Sequence, residues 1–288
     1  MVGAKKLSLL CIVTFLFIES IAGWGYEGHR RINRLAAQLV AGEFGIFLAT
    51  YQDSLAIHGP DPDYWKEANL DEGYRHYFDS DYYDKYPFDN IPRELDELIN
   101  VYSDSSVKSW GIAPWAIKQK CEAVTELLRN GDWDNVILQM AALGHYVADI
   151  HMPLHTVANY NGQLSGNEGI HFRWEISMVN QLVNKINPVG PVEYIDDPVE
   201  YAFTIIKESF SNHENILSAD SLARASLTDI QRDSLKTYET VSFEDEYLDI
   251  LFNETKELAH QRLGMAAVRV ASYWYTCWVN AGQPNLPD

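Results

Sequence analysis

Residues 132–155 read DWDNVILQMAALGHYVADIHMPLH, and the fold is decided here. Asp132 to Asp149 predicts a helix, and Pro153 stops it, because proline has no backbone N–H and disfavours helical geometry in the residue before it. His145 and Asp149 stand four apart near the end of that helix. Residues at this spacing share one face, so the pair can close on a single metal ion. His155 follows the proline, which aims it back toward the helix end. Further on, His171 and Glu175 repeat the four-residue step. Imidazole and carboxylate ligands concentrated in one short window point to zinc chemistry.

Helices extend outward from this window in both directions. Residues 27–41 carry Ile32, Leu35, Ala36 and Leu39 at helical spacing. Residues 114–129 start at Pro114, repeat Ile117, Cys121, Val124 and Leu128, and stop near Gly131. Residues 197–211 read as a helix after Pro198, and 254–280 as a long C-terminal one with Leu263, Val270 and Trp274. No alternating strand pattern of useful length competes, so the expected fold is all-α, a single mainly helical domain. Residues 59–92 are rich in Pro, Asp, Tyr and Gly and read as an ordered loop with room for a short strand or helical turn. This loop carries Asp61, Asp63 and His76, and His29 lies ahead of it.

The chain has 288 residues, 47% apolar and 22% charged, the composition of an ordinary globular protein without repeats. Lys5 and Lys6, the apolar run Leu7 to Ile18 and the small stretch Ile21-Ala22-Gly23 have the layout of a signal peptide over residues 1–23. The mature domain is then 24–288, secreted or periplasmic. A retained anchor is the alternative, although the run is short for a bilayer span. A lipoprotein reading through Cys11 is weaker, since that cysteine sits inside the run. Cleavage leaves 20 basic against 40 acidic side chains, a formal charge of −20. So acidic a chain exerts no long-range attraction on nucleic acid or anionic lipid. Cys121 and Cys277 remain, and both a disulfide and two buried thiols fit their apolar helical faces.

Other metal architectures fail on the same letters. A protease helix of the His-Glu-x-x-His type would need a second histidine where Leu217 follows His213-Glu214. A di-iron bundle needs two Glu-x-x-His pairs, which are absent, and two scattered cysteines form no structural zinc cluster.

The motifs Trp24-Gly-Tyr-Glu-Gly-His29, Arg75-His-Tyr-Phe-Asp79, Gly144-His-Tyr-Val-Ala-Asp149-Ile-His-Met-Pro-Leu-His155 and Gly166-Asn167 leading to His171-Phe-Arg-Trp-Glu175 occur in order. Together they resemble the trinuclear-zinc superfamily of fungal and plant single-strand nucleases and bacterial zinc-dependent phospholipases C. The resemblance implies a three-zinc cleft and a mature chain that begins at Trp24, whose amine and carbonyl bind metal. Asp63, His76, His145 and Asp149 would hold one ion. Trp24, His29 and the shared Asp149 would hold a second, and His155, His171 and Glu175 a third. Asp61 is the rival for Asp63, which is preferred because Tyr64 follows it as in the phospholipase pattern.

In this scheme Asp63 and Asp149 are the catalytic carboxylates, Asp63 orienting or deprotonating the attacking water. His151 is read as structural or as a support to the ligands. Arg173 is read as a surface ion pair, with a phosphate contact as the alternative. The implied activity is phosphodiester hydrolysis by a monomer without a stable protein partner, on single-stranded nucleic acid or on a phospholipid headgroup ester. Glu27 and Tyr64 resemble the residues that receive a choline headgroup, and Glu175 stands where the nucleases usually have aspartate. Against that, the short step from Trp24 to His29 is nuclease-like, and the stretch Tyr74 to Tyr86 is able to stack bases or to form an aromatic core flap. A non-catalytic exported zinc-binding protein is the rival of a different class.

Overall fold

Helical spacing of apolar residues is realised throughout the computed structural model, which describes residues 24–235 and 245–287; residues 1–23, the expected signal peptide, lie outside the described residues. In chain order the helices are α1 (Gly25–Ala36), α2 (Gly42–Thr50), α3 (Gln52–Ile57), α4 (Asp61–Ala68), α5 (Ser80–Tyr83), α6 (Leu95–Tyr102), α7 (Asp104–Trp110), α8 (Ala113–Asn130) and α9 (Trp133–Asp149). There follow α10 (Ile170–Phe172), α11 (Val179–Leu182), α12 (Pro198–Phe210), α13 (His213–Arg224), α14 (Asp229–Ser234) and α15 (Asp245–Asn280). No strand occurs among the described residues, and none of their helices is long and apolar enough to cross a membrane.

The central hairpin follows directly from its end signals. Pro114 occupies the first turn of α8, where a missing N–H costs nothing, and Gly131 ends the helix with φ at +69°. Trp133 restarts the chain at once, so α9 folds back along α8. The 36-residue α15 lies against α1, α8, α9 and α13, and its Trp274 donates a 2.8 Å hydrogen bond to the Met140 carbonyl of α9. Cys121 and Cys277 are buried free thiols, with the Cys277 Sγ 3.6 Å from the Cys121 carbonyl oxygen.

One close approach matters more than the rest of the packing. Asn33 of α1 donates from Nδ2 to the carbonyls of Leu55 and Ala141, each at 3.1 Å. A Cβ on Gly144 would stand 2.2 Å from Asn33 Oδ1, so only glycine lets α1 and α9 lie this near. His29 is one turn before Asn33 and His145 is next to Gly144. Their rings consequently stack at 3.8 Å between centroids.

The segment after Gly166 is fastened from the opposite side. Asp220 of α13 is fully buried; its Oδ1 accepts from Arg173 Nη2 at 3.0 Å and from the Tyr247 hydroxyl, and its Oδ2 accepts from Asn167 at 2.8 Å and Arg224 at 2.6 Å. Arg173 Nη1 also donates to the Glu168 and Leu235 carbonyls. The sequence reading placed Arg173 at the surface or on a phosphate. It is instead 2% exposed, because the opposite face of its own helical segment carries the cluster and Asp220 neutralises it inside.

Two further boundaries depart from expectation. Residues 59–92 contain a two-turn helix, α4, since Pro62 fits a first turn and Asp61 and Asp63 face the positive end of the helix dipole. Residues 37–41, expected as helix, leave α1 after Ala36, 37–39 as turns and 40–41 as irregular chain.

Gly144→Ala is expected to destabilise the protein by about 1–3 kcal/mol through overpacking against Asn33. Asp220→Ala, which leaves the Arg173 charge buried and unpaired, is expected to cost about 3–5 kcal/mol. Urea unfolding midpoints at an unchanged slope check both.

Candidate metal centre

Three groups of metal-ligand side chains converge at the end of α9: His29, His145 and Asp149; Asp63, His76 and His145; and His155, His171 and Glu175. Within each group the ligand atoms lie within 4.8 Å of one another. No member is more than 7% exposed.

Asp149 sits between the groups. Its Oδ2 is 2.9 Å from His76 Nδ1 and 3.2 Å from His145 Nε2, and its Oδ1 is 3.4 Å from His29 Nε2 and 3.7 Å from His155 Nδ1. Burial alone would push this carboxyl up, but His145, His29 and His76 hold it well below the usual carboxylate range. His145 Nδ1 donates to the Gly59 carbonyl at 2.9 Å, so Nε2 of the neutral ring presents its lone pair to the cluster. That atom is 3.6 Å from Asp63 Oδ1 and 3.0 Å from His76 Nδ1.

Asp63 and Asp61 are separated by the geometry of α4. Residues two apart on a helix face different ways, so Asp63 is fully buried in the cluster while Asp61 turns out to His58, 2.8 Å away. The third group has a different backbone. His171 belongs to α10, whereas Glu175 lies in a π-helical turn, Arg173–Met178, and the wider turn keeps Glu175 Oε2 3.0 Å from His171 Nε2. His155 Nε2 and His171 Nε2 also stand 3.0 Å apart. Burial raises the Glu175 carboxyl, yet His171 and His155 bring it down to about 2.

The donor set fits metal ions and little else. His29 Nδ1, Asp63 Oδ2 and His171 Nδ1 are buried without a hydrogen-bond partner. Each such group costs about 1–3 kcal/mol if left unsatisfied. Nitrogen lone pairs facing one another at 3.0 Å repel unless a proton or a metal ion stands between them. Imidazole and carboxylate donors without thiolate suit zinc.

Trp24 lies within this centre. It is fully buried, its indole donates to the Ala148 carbonyl at 2.6 Å, its ring packs on Trp174, and its backbone nitrogen donates to Glu175 Oε1. The nitrogen thus meets the third group, where the resemblance implied a site shared with His29. His151 stays outside all three groups, donating from Nδ1 to the Val147 carbonyl. Burial together with Arg262 and Arg269 holds its pKa well below the ordinary imidazole value.

A cavity of about 620 Å³ opens beside His76, His155 and His171. Tyr74, Tyr77, Tyr82 and Trp110 line it, with Lys66 and Lys108 as its cations. Glu27 and Tyr64 do not line it: Glu27 pairs with Arg30 at 2.5 Å, and Tyr64 leans on Tyr26. Two neighbours of the cluster, Lys66 and Glu72, stand outside the ligand motifs. Lys66 holds its ammonium 2.6 Å from Asp63 Oδ1, and although burial lowers its pKa, Asp63 brings it above the ordinary lysine value. Glu72 lies 3.4 Å from His76 Nε2 and accepts from the Tyr146 hydroxyl. Lys66 is three residues after Asp63 and Glu72 four before His76, spacings that carry the only sequence signal for them.

No curated protein sequence matches the chain. Among solved structures, the alpha toxin from Clostridium absonum shares the fold, with a TM-score of 0.52 at 15% identity. The alignment covers 94% of this chain and 66% of that one, so the toxin extends well beyond the shared part. The pattern of the S1/P1 Nuclease family matches residues 24–276, a span that takes in every group of the centre. On that match the chain belongs to the S1/P1 nuclease family.

Proposed function

We propose that the protein is an exported phosphodiesterase that holds three zinc ions and cleaves single-stranded nucleic acid. The observation that carries this reading is the set of three buried, largely unpartnered ligand groups opening onto one aromatic-lined cavity. Asp63, His76, His145 and Asp149 would hold one ion, Trp24, His29 and Asp149 a second, and His155, His171 and Glu175 the third. When bound, zinc acidifies water near neutral pH and draws charge from phosphate oxygens.

The chain's own residues do the rest. Asp149 is kept ionised by its histidines, so it remains an acceptor shared between neighbouring groups. Asp63, with an unpartnered Oδ2, orients the attacking water and takes its proton. Lys66 stays charged at the cavity wall and offers its ammonium to a non-bridging phosphate oxygen. A phosphate-binding space beside the ligands separates this reading from a purely structural zinc protein, whose ligand sets close around the ion.

The nucleic-acid reading is preferred to phospholipid on two grounds. Glu27 is paired with Arg30, and neither Glu27 nor Tyr64 lines the cavity, whereas Tyr74, Tyr77, Tyr82 and Trp110 do. With a formal charge of −19 for the whole chain, binding rests on local cations and stacking instead of long-range steering. Turnover of a single-stranded oligonucleotide, phosphatidylcholine vesicles and a nucleoside monophosphate, compared side by side, tests this. Hydrolysis of phosphatidylcholine alone would overturn the substrate assignment.

Three predictions follow from the ligand sets. The mature protein, purified without chelator, is expected to carry close to three zinc ions by elemental analysis. Asp149→Asn should loosen two of them and Glu175→Gln only one, and equal single-ion losses would show that Asp149 is not shared. A chain that starts at Trp24 should also exceed one that starts Met-Trp24 in zinc content and rate. A free α-amine, with a pKa of about 7.7–8.0, yields its proton to a metal far more readily than an amide does. Identical zinc content and rates would reduce Trp24 to a buried aromatic.

A further inference from the structure

His76 has two ring nitrogens, and Nδ1 is the one that faces the other ligands, 2.9 Å from Asp149 Oδ2 and 3.0 Å from His145 Nε2. On the other side of the ring Glu72 Oε1 stands 3.4 Å from Nε2. Both side chains are buried, Glu72 at 6% and His76 at 3% exposure. A neutral imidazole carries a single N–H, so a lone pair on Nδ1 requires the proton on Nε2. The carboxylate beside Nε2 is the acceptor that such a proton needs.

Glu72 is itself held from α9. The Tyr146 hydroxyl donates to the same Oε1, and Tyr146 directly follows His145, which shares a ligand group with His76. The Tyr146 ring stands edge-on to His76 at 5.3 Å, as the His145 ring does at 4.9 Å. Arg75 lies over the Tyr146 ring at 5.5 Å and donates to Gln119 of α8 at 3.1 Å. Glu72 and His76 are joined by the short turn Gly73–Arg75, in which Arg75 N donates to the Glu72 carbonyl at 3.0 Å and His76 N to the Gly73 carbonyl at 3.4 Å. A local turn and a distant hydroxyl thus fix one carboxylate against one ligand histidine.

We propose that Glu72 is a positioning residue for the metal centre: it accepts the Nε2 proton of His76, so that Nδ1 is the nitrogen offered to the ion, and with Tyr146 it keeps that histidine in register with His145. This rests on the three-ion reading above. A carboxylate behind a ligand imidazole fixes its tautomer and orientation and raises its basicity. Pairing with Arg75 does not account for the arrangement, since Arg75 meets the other oxygen, Oε2, and only at 3.8 Å.

The test compares the wild-type protein with Glu72→Met, Glu72→Gln and Tyr146→Phe. Zinc affinity is read by competition against a chromophoric chelator, and stability by urea unfolding of the metal-free proteins. Glu72→Met keeps the volume and removes the acceptor, and it is expected to loosen one of the three ions by about 10- to 100-fold while the other two stay as in the wild type. Glu72→Gln, whose amide oxygen still accepts, should recover most of that loss. Tyr146→Phe should lower stability while holding the ion far more tightly than Glu72→Met does. If Glu72→Met does not fold, the double variant Glu72→Met, Tyr146→Phe, which leaves no hydroxyl without its acceptor, takes its place with the same expectation. Zinc held by the acceptor-less variant as tightly as by the wild type, or lost equally from all sites, overturns the positioning role and leaves the three-ion reading intact. A wild-type protein that binds no zinc ends both.

Discussion

The carboxylate of Asp149 is the point at which four histidines meet. Its two oxygens face His29 and His155 on one side and His76 and His145 on the other. These partners arrive from α1, from the turn after α9, from the segment before α5 and from α9 itself. Burial would favour the neutral acid, and the surrounding imidazoles reverse that preference. Every element that brings a histidine to Asp149 is therefore constrained in position, and two of the close approaches, at Gly144 and at Gly111, are made by residues without a side chain.

Such a centre is unfavourable on its own. Several buried nitrogen and oxygen atoms lack partners, and each is worth about 1–3 kcal/mol in lost solvation. The apolar frame of α1, α8, α9 and α15 holds them in place despite this, and the buried Asp220 network does the same for the segment of His171 and Glu175. Ions that satisfy those atoms are bound by the folded chain alone, so metal binding and stability are linked.

The site and the surface follow different electrostatic rules. The chain is strongly acidic overall, yet the cavity wall carries Lys66 and Lys108 among aromatic rings. Lys66 keeps its charge because Asp63 compensates for burial. An anionic substrate is thus favoured by local contact, and at ordinary ionic strength the remote negative charges are screened beyond about 8–10 Å.

Much of the centre was legible in the letters because its signals are local. The four-residue step of His145 and Asp149 survives in α9, and Pro153, Pro198 and Gly131 mark ends that the structure keeps. His171 and Glu175 also meet, although through a π-helical turn that no spacing rule foretells. Spacing could not separate Asp61 from Asp63; the helical twist of α4 did, by turning one to solvent and one inward.

The sequence by itself determined the helical class, the residue types of a candidate metal centre and their order along the chain, since periodicity and chain punctuation act over a few residues. Only the tertiary structure decided which of these groups share a cluster. It also decided that Arg173 is neutralised inside by Asp220, that Glu27 and Tyr64 stand apart from the cavity, and that Tyr82 rests on Trp110. These outcomes depend on contacts between segments far apart in the chain, where packing and charge compensation choose among arrangements that local sequence leaves equal.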